Sequence, residues 1–220
     1  MEIKEAIKQR HSVRQYKVLP LDAGAKEKLS ALVKECNAQS GLNIQLICDD
    51  PECFDTFLAR YGKFKNAHNY FAMVGNKSAG NLDELVGYYG QKLVLETQML
   101  GLNTCWVAGT FGRGKCKANA ATGEKLLCVI SLGYGENQGA VHKSKPVEKL
   151  CDIPEAQQPD WFKEGLEASL LAPTALNQQK FLVSLKDGEP VITTKGGPMT
   201  KIDLGIVKYN FEAASGHKCK

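Results

Sequence analysis

Near the start of the chain, Arg10-His11-Ser12-Val13-Arg14 gathers three potential cations and a hydroxyl into five residues. Guanidinium groups offer forked donors that match phosphate oxygens, so this spacing could hold a phosphate or another compact anion. The competing reading is helix-end charge, in which basic residues offset a helix dipole and face water. Local composition by itself favours that second reading.

Three further segments carry the residue types of a ligand site. Ala172-Pro173-Thr174-Ala175-Leu176-Asn177-Gln178-Gln179 breaks a helix at Pro173, then offers small residues and amides. Small residues let a flat ligand approach the backbone, and amides can hydrogen-bond a heterocycle rim. Gly101-Leu102-Asn103-Thr104-Cys105-Trp106-Val107-Ala108-Gly109 closes a strand with a small-residue loop that exposes backbone N–H groups. Lys143-Ser144-Lys145-Pro146 could add a second cationic clamp. Taken singly, a capped helix end, a buried turn and a solvated loop are the better readings of these three. A fourth segment, Gly109-Thr110-Phe111-Gly112-Arg113-Gly114-Lys115-Cys116, nearly fits the phosphate-loop pattern. Its last position is cysteine, a poor ligand for a hard magnesium ion, and the stretch after it is too short for a proper loop-then-helix. No G-x-G-x-x-G follows a strand, so a Rossmann nucleotide site is not supported.

Hydrophobic periodicity places these segments. Residues 2–10 read as a short helix, and Asp22 is positioned to cap a second one that Ser40-Gly41 stops. Strands are expected over Asn43–Cys48, Tyr70–Val74, Cys105–Ala108 and Leu126–Leu132, with a short helix opening at Pro51. The longest helical pattern runs from about Asn81 to Leu100, with apolar residues on several sides, as in a central helix. Residues 136–149 read as a polar loop. A helix capped by Asp160, a hairpin turning at Asp187-Gly188 and a helix over Asp203–Ala214 complete the chain. The glycine pairs Gly90/Gly101 and Gly205/Gly216 share one spacing, and Leu42-Asn43-Ile44-Gln45 echoes Leu176-Asn177-Gln178-Gln179, which points to a partial internal duplication.

Bulk composition sets outer limits. Of the 220 residues, 43% are hydrophobic and 24% charged, with a net charge of +4 spread along the chain. Nucleic-acid binding would want a concentrated basic stripe, which is absent. No apolar run is long enough to span a bilayer. The eight cysteines form no C-x-x-C, so a reducing cytoplasm and no metal site are expected.

Together and in this order, the segments resemble the nitroreductase family of FMN enzymes. The family's R-[RH]-S-x-R is similar to Arg10–Arg14, its G-L-x-[ST]-x-[WP]-x-x-G to Gly101–Gly109, and its A-P-[ST]-x-x-N-x-Q to Ala172–Gln179; a glycine-ended strand followed by basic residues corresponds to 126–145. In typical members the A-P-[ST] motif follows the second helix. Here Ala38-Gln39-Ser40-Gly41 stands at that place.

The resemblance implies an α+β fold, a central and mostly antiparallel sheet flanked by helices. Residues 1–150 would form the FMN-binding half and residues 151–220 a second half supplying the opposite wall. Typical members are homodimers whose flavin takes contacts from both subunits. The displaced motif therefore implies a pseudo-dimer, one chain imitating two, that is a monomer or weak homodimer in solution. The cofactor contacts implied are Arg10, His11, Ser12, Arg14, Trp106, Val107, Ala108, Gly109, Lys143, Lys145, Pro173, Thr174, Ala175 and Asn177. Arg10, Ser12 and a lysine would hold the phosphate and ribityl chain, Arg14 would lie near the pyrimidine edge, and the N–H groups of Ala108 and Gly109 would address the ring. No side chain acts as nucleophile, since the flavin carries the chemistry. The activity implied is reduction of nitroaromatic or quinone-like acceptors in two hydride steps, with NAD(P)H as donor, or reduced ferredoxin or flavodoxin in its place. A non-catalytic FMN-binding or flavin-storage protein is the alternative, and a nucleotide binder using Gly109–Cys116 a second one.

Overall fold

In the computed structural model, which describes residues 1–220, the chain divides into two compact units, each discontinuous in sequence. Arg10–Leu82 and Leu93–Val141 form a sheet unit, and Met1–Gln9, Asp83–Lys92 and His142–Lys220 form a helix-and-hairpin unit. No helix is long and apolar enough to cross a membrane.

The sheet unit is built on four antiparallel strands in the order β1-β2-β4-β3: β1 (Gln45–Ile47), β2 (Asn69–Asn76), β3 (Asn103–Val107) and β4 (Glu124–Gly133). Seven of the eight residues of β2 are buried, because a central strand covered on both faces must be apolar throughout. Phe71 stands opposite Ile130 and Ala72 opposite Val129, with a bulge between Met73 and Val74. The helix α2 (Ala23–Ser40) begins where expected: the Asp22 carboxylate accepts the Ala25 N–H at 2.8 Å, and Gly41 ends it at φ 71°. Leu29, Val33 and Cys36 form its buried face. One expectation shifts. Pro51 opens only a turn, and the short helix α3 is Phe57–Tyr61, started by Thr56, whose hydroxyl accepts the Ala59 N–H. A threonine with extended backbone satisfies an orphan N–H that a proline cannot.

In the other unit, α1 (Ile3–Gln9) packs on α5 (Asp160–Leu170) and on α6 (Thr200–Ser215). Phe162 and Phe211 meet edge to face at 5.7 Å, over Gly165, where a Cβ would lie 2.6 Å from the Phe211 ring. The hairpin β5 (Phe181–Lys186) and β6 (Glu189–Thr194) turns at Asp187 and Gly188, both at positive φ, the geometry a two-residue hairpin requires. Asp160 is the first helical residue of α5 and Pro159 its cap, because the proline, already at extended backbone angles, ends the preceding loop. The helix α6 starts at Thr200, three residues before Asp203, after Met199 turns left-handed. The central helix α4 (Leu82–Met99) contributes residues to both units, and none of its residues is exposed.

Candidate functional site

Within the sheet unit, residues 12–17 lie as an extended rim on the sheet. Ser12 pairs in parallel with Thr104 on β3, and the Val13 N–H donates to the Thr104 carbonyl at 3.0 Å. Further along, Tyr16 N–H donates to Lys65 O at 3.0 Å and Lys17 N–H to Tyr134 O at 2.8 Å. The anchors are apolar: Val13 and Tyr16 are buried, while Arg14 and Gln15 between them are exposed. The Tyr16 hydroxyl donates to Val13 O at 2.6 Å and shares a 2.8 Å hydrogen bond with Ser131, and burial pushes its pKa far above the ordinary value. These two anchors fix the segment on the sheet and leave Arg14 and Gln15 between them facing solvent.

Arg10 differs from the other cations. It is 4% exposed, its Nε is buried without an acceptor, and no ion pair or hydrogen bond engages its guanidinium. Burial lowers its pKa to about 10, against a raising effect of Cys105, so the group stays charged at neutral pH. A charge taken from water and left unpaired costs several kilocalories per mole, on the order of what a bound anion would restore. Arg14 is exposed and likewise without an ion pair. Burial raises the pKa of the neighbouring Cys105 thiol, against the lowering effects of Arg14, Ser12 and Arg10. The His11 ring lies 3.1 Å from Gln138 O through Nδ1.

The loop after β4 braces this rim, which the sequence reading did not identify. Asn103 donates to Gln138 Oε1 at 3.0 Å and accepts from Gly135 N–H at 3.1 Å. Gly139 turns at φ 74°, where a Cβ would lie 2.8 Å from Ser12 O and 2.9 Å from His11 Cβ. Only glycine fits both the backbone angle and the space. The one sequence signal was Asn137-Gln138-Gly139 itself, a turn-forming triplet.

The same β3 carries Trp106, half-buried, and Val107, buried, and its ladder ends at the Val107–Val129 pair. Ala108 and Gly109 follow as an exposed bend, and no backbone carbonyl takes their N–H groups. Gly109–Cys116 continues as a bend and one short helical turn over Arg113–Lys115, with no helix after it. A phosphate loop needs a helix N-terminus at that point, so the nucleotide-binding alternative lacks its main structural element.

The remaining expected residues, Lys143, Lys145, Pro173, Thr174, Ala175 and Asn177, all fall in the helix-and-hairpin unit, where they form a closed polar knot. Lys143 O accepts from Asn177 Nδ2 and Gln179 Nε2, each at 2.9 Å. The Lys145 ammonium is held by the carbonyls of Gln178 and Gln179, and its N–H donates to Gln179 Oε1 at 2.8 Å. Thr174 Oγ1 accepts the Gln179 N–H at 3.0 Å. Asp203, 5% exposed, accepts from Ala175 N–H at 2.9 Å and Gln178 Nε2 at 2.7 Å. Leu176, Asn177 and Gln179 are left-handed at φ 52°, 52° and 43°, and the Leu176 side chain is fully exposed.

The antiparallel sheet with its flanking helices is a nitroreductase-like fold. A putative nitroreductase from Thermotoga maritima superposes with a TM-score of 0.71 at 21% identity, covering 97% of this chain and 83% of that one. A putative nitroreductase from Desulfovibrio desulfuricans, solved in complex with FMN, gives 0.54 at 20% identity over 69% of this chain and 96% of that one. A putative NADH dehydrogenase/NAD(P)H nitroreductase from Bacteroides thetaiotaomicron gives 0.53 at 19% identity over 67% and 95%. No curated protein matches the sequence. The family described as "Putative TM nitroreductase" matches residues 2–215, and the chain belongs to it.

Proposed function

We propose that this protein is an FMN-dependent oxidoreductase that takes hydride from NAD(P)H and passes it to nitroaromatic or quinone-like acceptors. The observation that carries the reading is Arg10, a buried guanidinium with an unpartnered Nε and no counter-charge. A phosphate monoester supplies the dianion and acceptor oxygens that such a group lacks. Family membership makes FMN the phosphate ester to expect, and a solved structure of similar fold is an FMN complex. FMN, when bound, supplies acceptance and donation of hydride at its ring.

The chain's own residues have binding and tuning roles in this proposal. Arg10 and Ser12 hold the phosphate end. The exposed, unpaired Arg14 offers a cation to the ring, where positive charge favours its reduced state and raises its potential. The free N–H groups of Ala108 and Gly109 are donors for ring heteroatoms. His11 is positioned by Gln138 and supports the segment. Trp106 and Val107 stand on the strand that carries the donor bend. Lys143, Lys145, Pro173, Thr174, Ala175 and Asn177 belong to the proposal through the family motifs, as does the idea of one chain imitating a dimer.

The visible spectrum of the purified protein tests the reading first. A yellow protein that oxidises NADH or NADPH when menadione is added supports it. A protein that stays colourless with excess FMN overturns it, and one that is yellow but inert towards both nucleotides overturns NAD(P)H as the donor. Replacing Arg10 and Arg14 together by alanine is expected to release the flavin; full retention would reject the assignment of these residues.

A further inference from the structure

The sheet unit contains a second reactive cluster that the flavin reading does not use. Cys53 is fully buried and Cys116 half-buried against the same apolar cluster, and each thiol shifts the other's pKa. One residue, Gly112, ties their backbones together. The Gly112 N–H donates to Cys53 O at 2.7 Å, and Gly112 O accepts the Cys116 N–H at 3.0 Å. A Cβ at Gly112 would lie 2.7 Å from Thr56 Cγ2 and 3.2 Å from Cys53 O, so a side chain there would displace Thr56 and crowd the Cys53 carbonyl. Around the pair stand Tyr70, whose hydroxyl donates to the fully buried Asp50 at 2.6 Å and accepts the Lys117 N–H at 3.0 Å, and the Lys117 ammonium, 3.3 Å from Asp50.

We propose that Cys116 and Cys53 form a redox-active dithiol, Cys116 the attacking thiolate and Cys53 the resolving thiol, which hydrogen peroxide converts to a disulfide. The charge arrangement agrees. The Cys53 thiol, with the Ala118 N–H, holds the Cys116 pKa below the ordinary thiol value, against desolvation and the Asp50 charge. The same pairing and burial push Cys53 upward, so it keeps its proton until it is needed. A partly accessible thiolate beside a protonated partner is the arrangement of a peroxide-reactive cysteine.

In the first step the Cys116 sulfur attacks one peroxide oxygen. An S–O bond forms, the O–O bond breaks, and the leaving hydroxide takes a proton to become water. In the second, Cys53 loses its proton and attacks the Cys116 sulfur. The S–S bond forms, the S–O bond breaks, and hydroxide leaves with that proton as a second water. Two thiols lose two electrons, and one peroxide becomes two waters. The residue that spoils the phosphate-loop pattern, Cys116, thereby acquires a chemistry of its own.

The test uses the full-length protein without substitution. After one equivalent of hydrogen peroxide, remaining thiols are blocked and a non-reduced digest is sequenced by tandem fragmentation. The expected product links Cys53 to Cys116, with the six other cysteines of the eight still free. In parallel, iodoacetamide at mildly acidic pH should alkylate Cys116 about tenfold or more faster than Cys48 and Cys219, half-buried thiols whose pKa values burial raises. Absence of the linked peptide, or equal rates for the three thiols, overturns the proposal. In a Cys53→Ser variant the peroxide should leave a dimedone-reactive Cys116, and a Cys116 that stays unmodified there overturns the first step.

Discussion

The rim at Arg10–Arg14 and the knot at Thr174–Gln179 are both rich in polar donors, yet they are built to opposite ends. In the knot nearly every donor is consumed: the Lys145 ammonium by two carbonyls, the Gln179 amide by Lys143 O and Asn177, the Ala175 N–H by Asp203. The knot spends its polar groups on holding three left-handed residues that would otherwise relax. In the rim, backbone pairing and two buried side chains do the holding, so the guanidinium of Arg10 and the N–H groups of Ala108 and Gly109 are left over. Spare donors, not polar residues as such, mark where a ligand belongs.

The sharpest way to break this comparison is Arg10→Met. Losing one charge-assisted contact of about 1.5–3 kcal/mol should weaken FMN binding on the order of 10–100-fold in a fluorescence titration. The apoprotein should melt no lower than wild type, since an unpaired buried cation is removed. A lower melting temperature with unchanged affinity would make Arg10 a structural residue. Next is Gly139→Ala, which forces a Cβ against Ser12 O and should cost about 2 kcal/mol in denaturant unfolding. An unaffected midpoint would mean that the loop after β4 does not brace the rim.

Asp203→Asn probes the knot. Burial raises the Asp203 pKa above 3.8, against the Ala175 and Gln178 hydrogen bonds, so the folded state holds the proton more tightly than the unfolded chain. Stability from this group is therefore greatest below the unfolded value and falls as pH rises through the folded one. Asparagine keeps only one acceptor oxygen for the two donors, a loss of about 1 kcal/mol, but carries no ionisation penalty. The deficit of the variant should shrink as pH is raised from about 4 to about 7 in chemical unfolding. A deficit that widens would show the carboxylate to be net favoured. The smallest effect is expected of Leu176→Gly. Removing a fully exposed side chain from a φ of 52° should stabilise by about 0.5–1 kcal/mol, and a loss of stability would show that the side chain is needed there.

Much of the architecture was legible because it follows from local rules. The Asp22 cap, the stops at Gly41 and Gly216, the Asp187-Gly188 hairpin and the continuously apolar β2 each carry their cause in adjacent residues. The misplacements fall where two local signals compete. Pro51 and Thr56 both can start a helix, and the hydroxyl cap at Thr56 prevailed; at 199 a left-handed methionine set the start of α6. The site was legible as residue types and order, from Arg10 through Gly109 to Asn177. Its bracing by Asn103, Gln138 and Gly139 was not, because those contacts span more than thirty residues and leave no period in the sequence.

The sequence by itself determined the family, through four motifs in a fixed order, and the elements that carry them, through caps, turns and apolar periods. Tertiary structure alone decided which polar groups are spent and which are spare. Arg10 and Lys145 are both basic residues beside a turn in the sequence; burial without a partner left one as an open cation, and two backbone carbonyls closed the other. That difference is electrostatic and long-range: the cost of an unpaired charge depends on what the fold brings around it, not on the residues next to it in the chain.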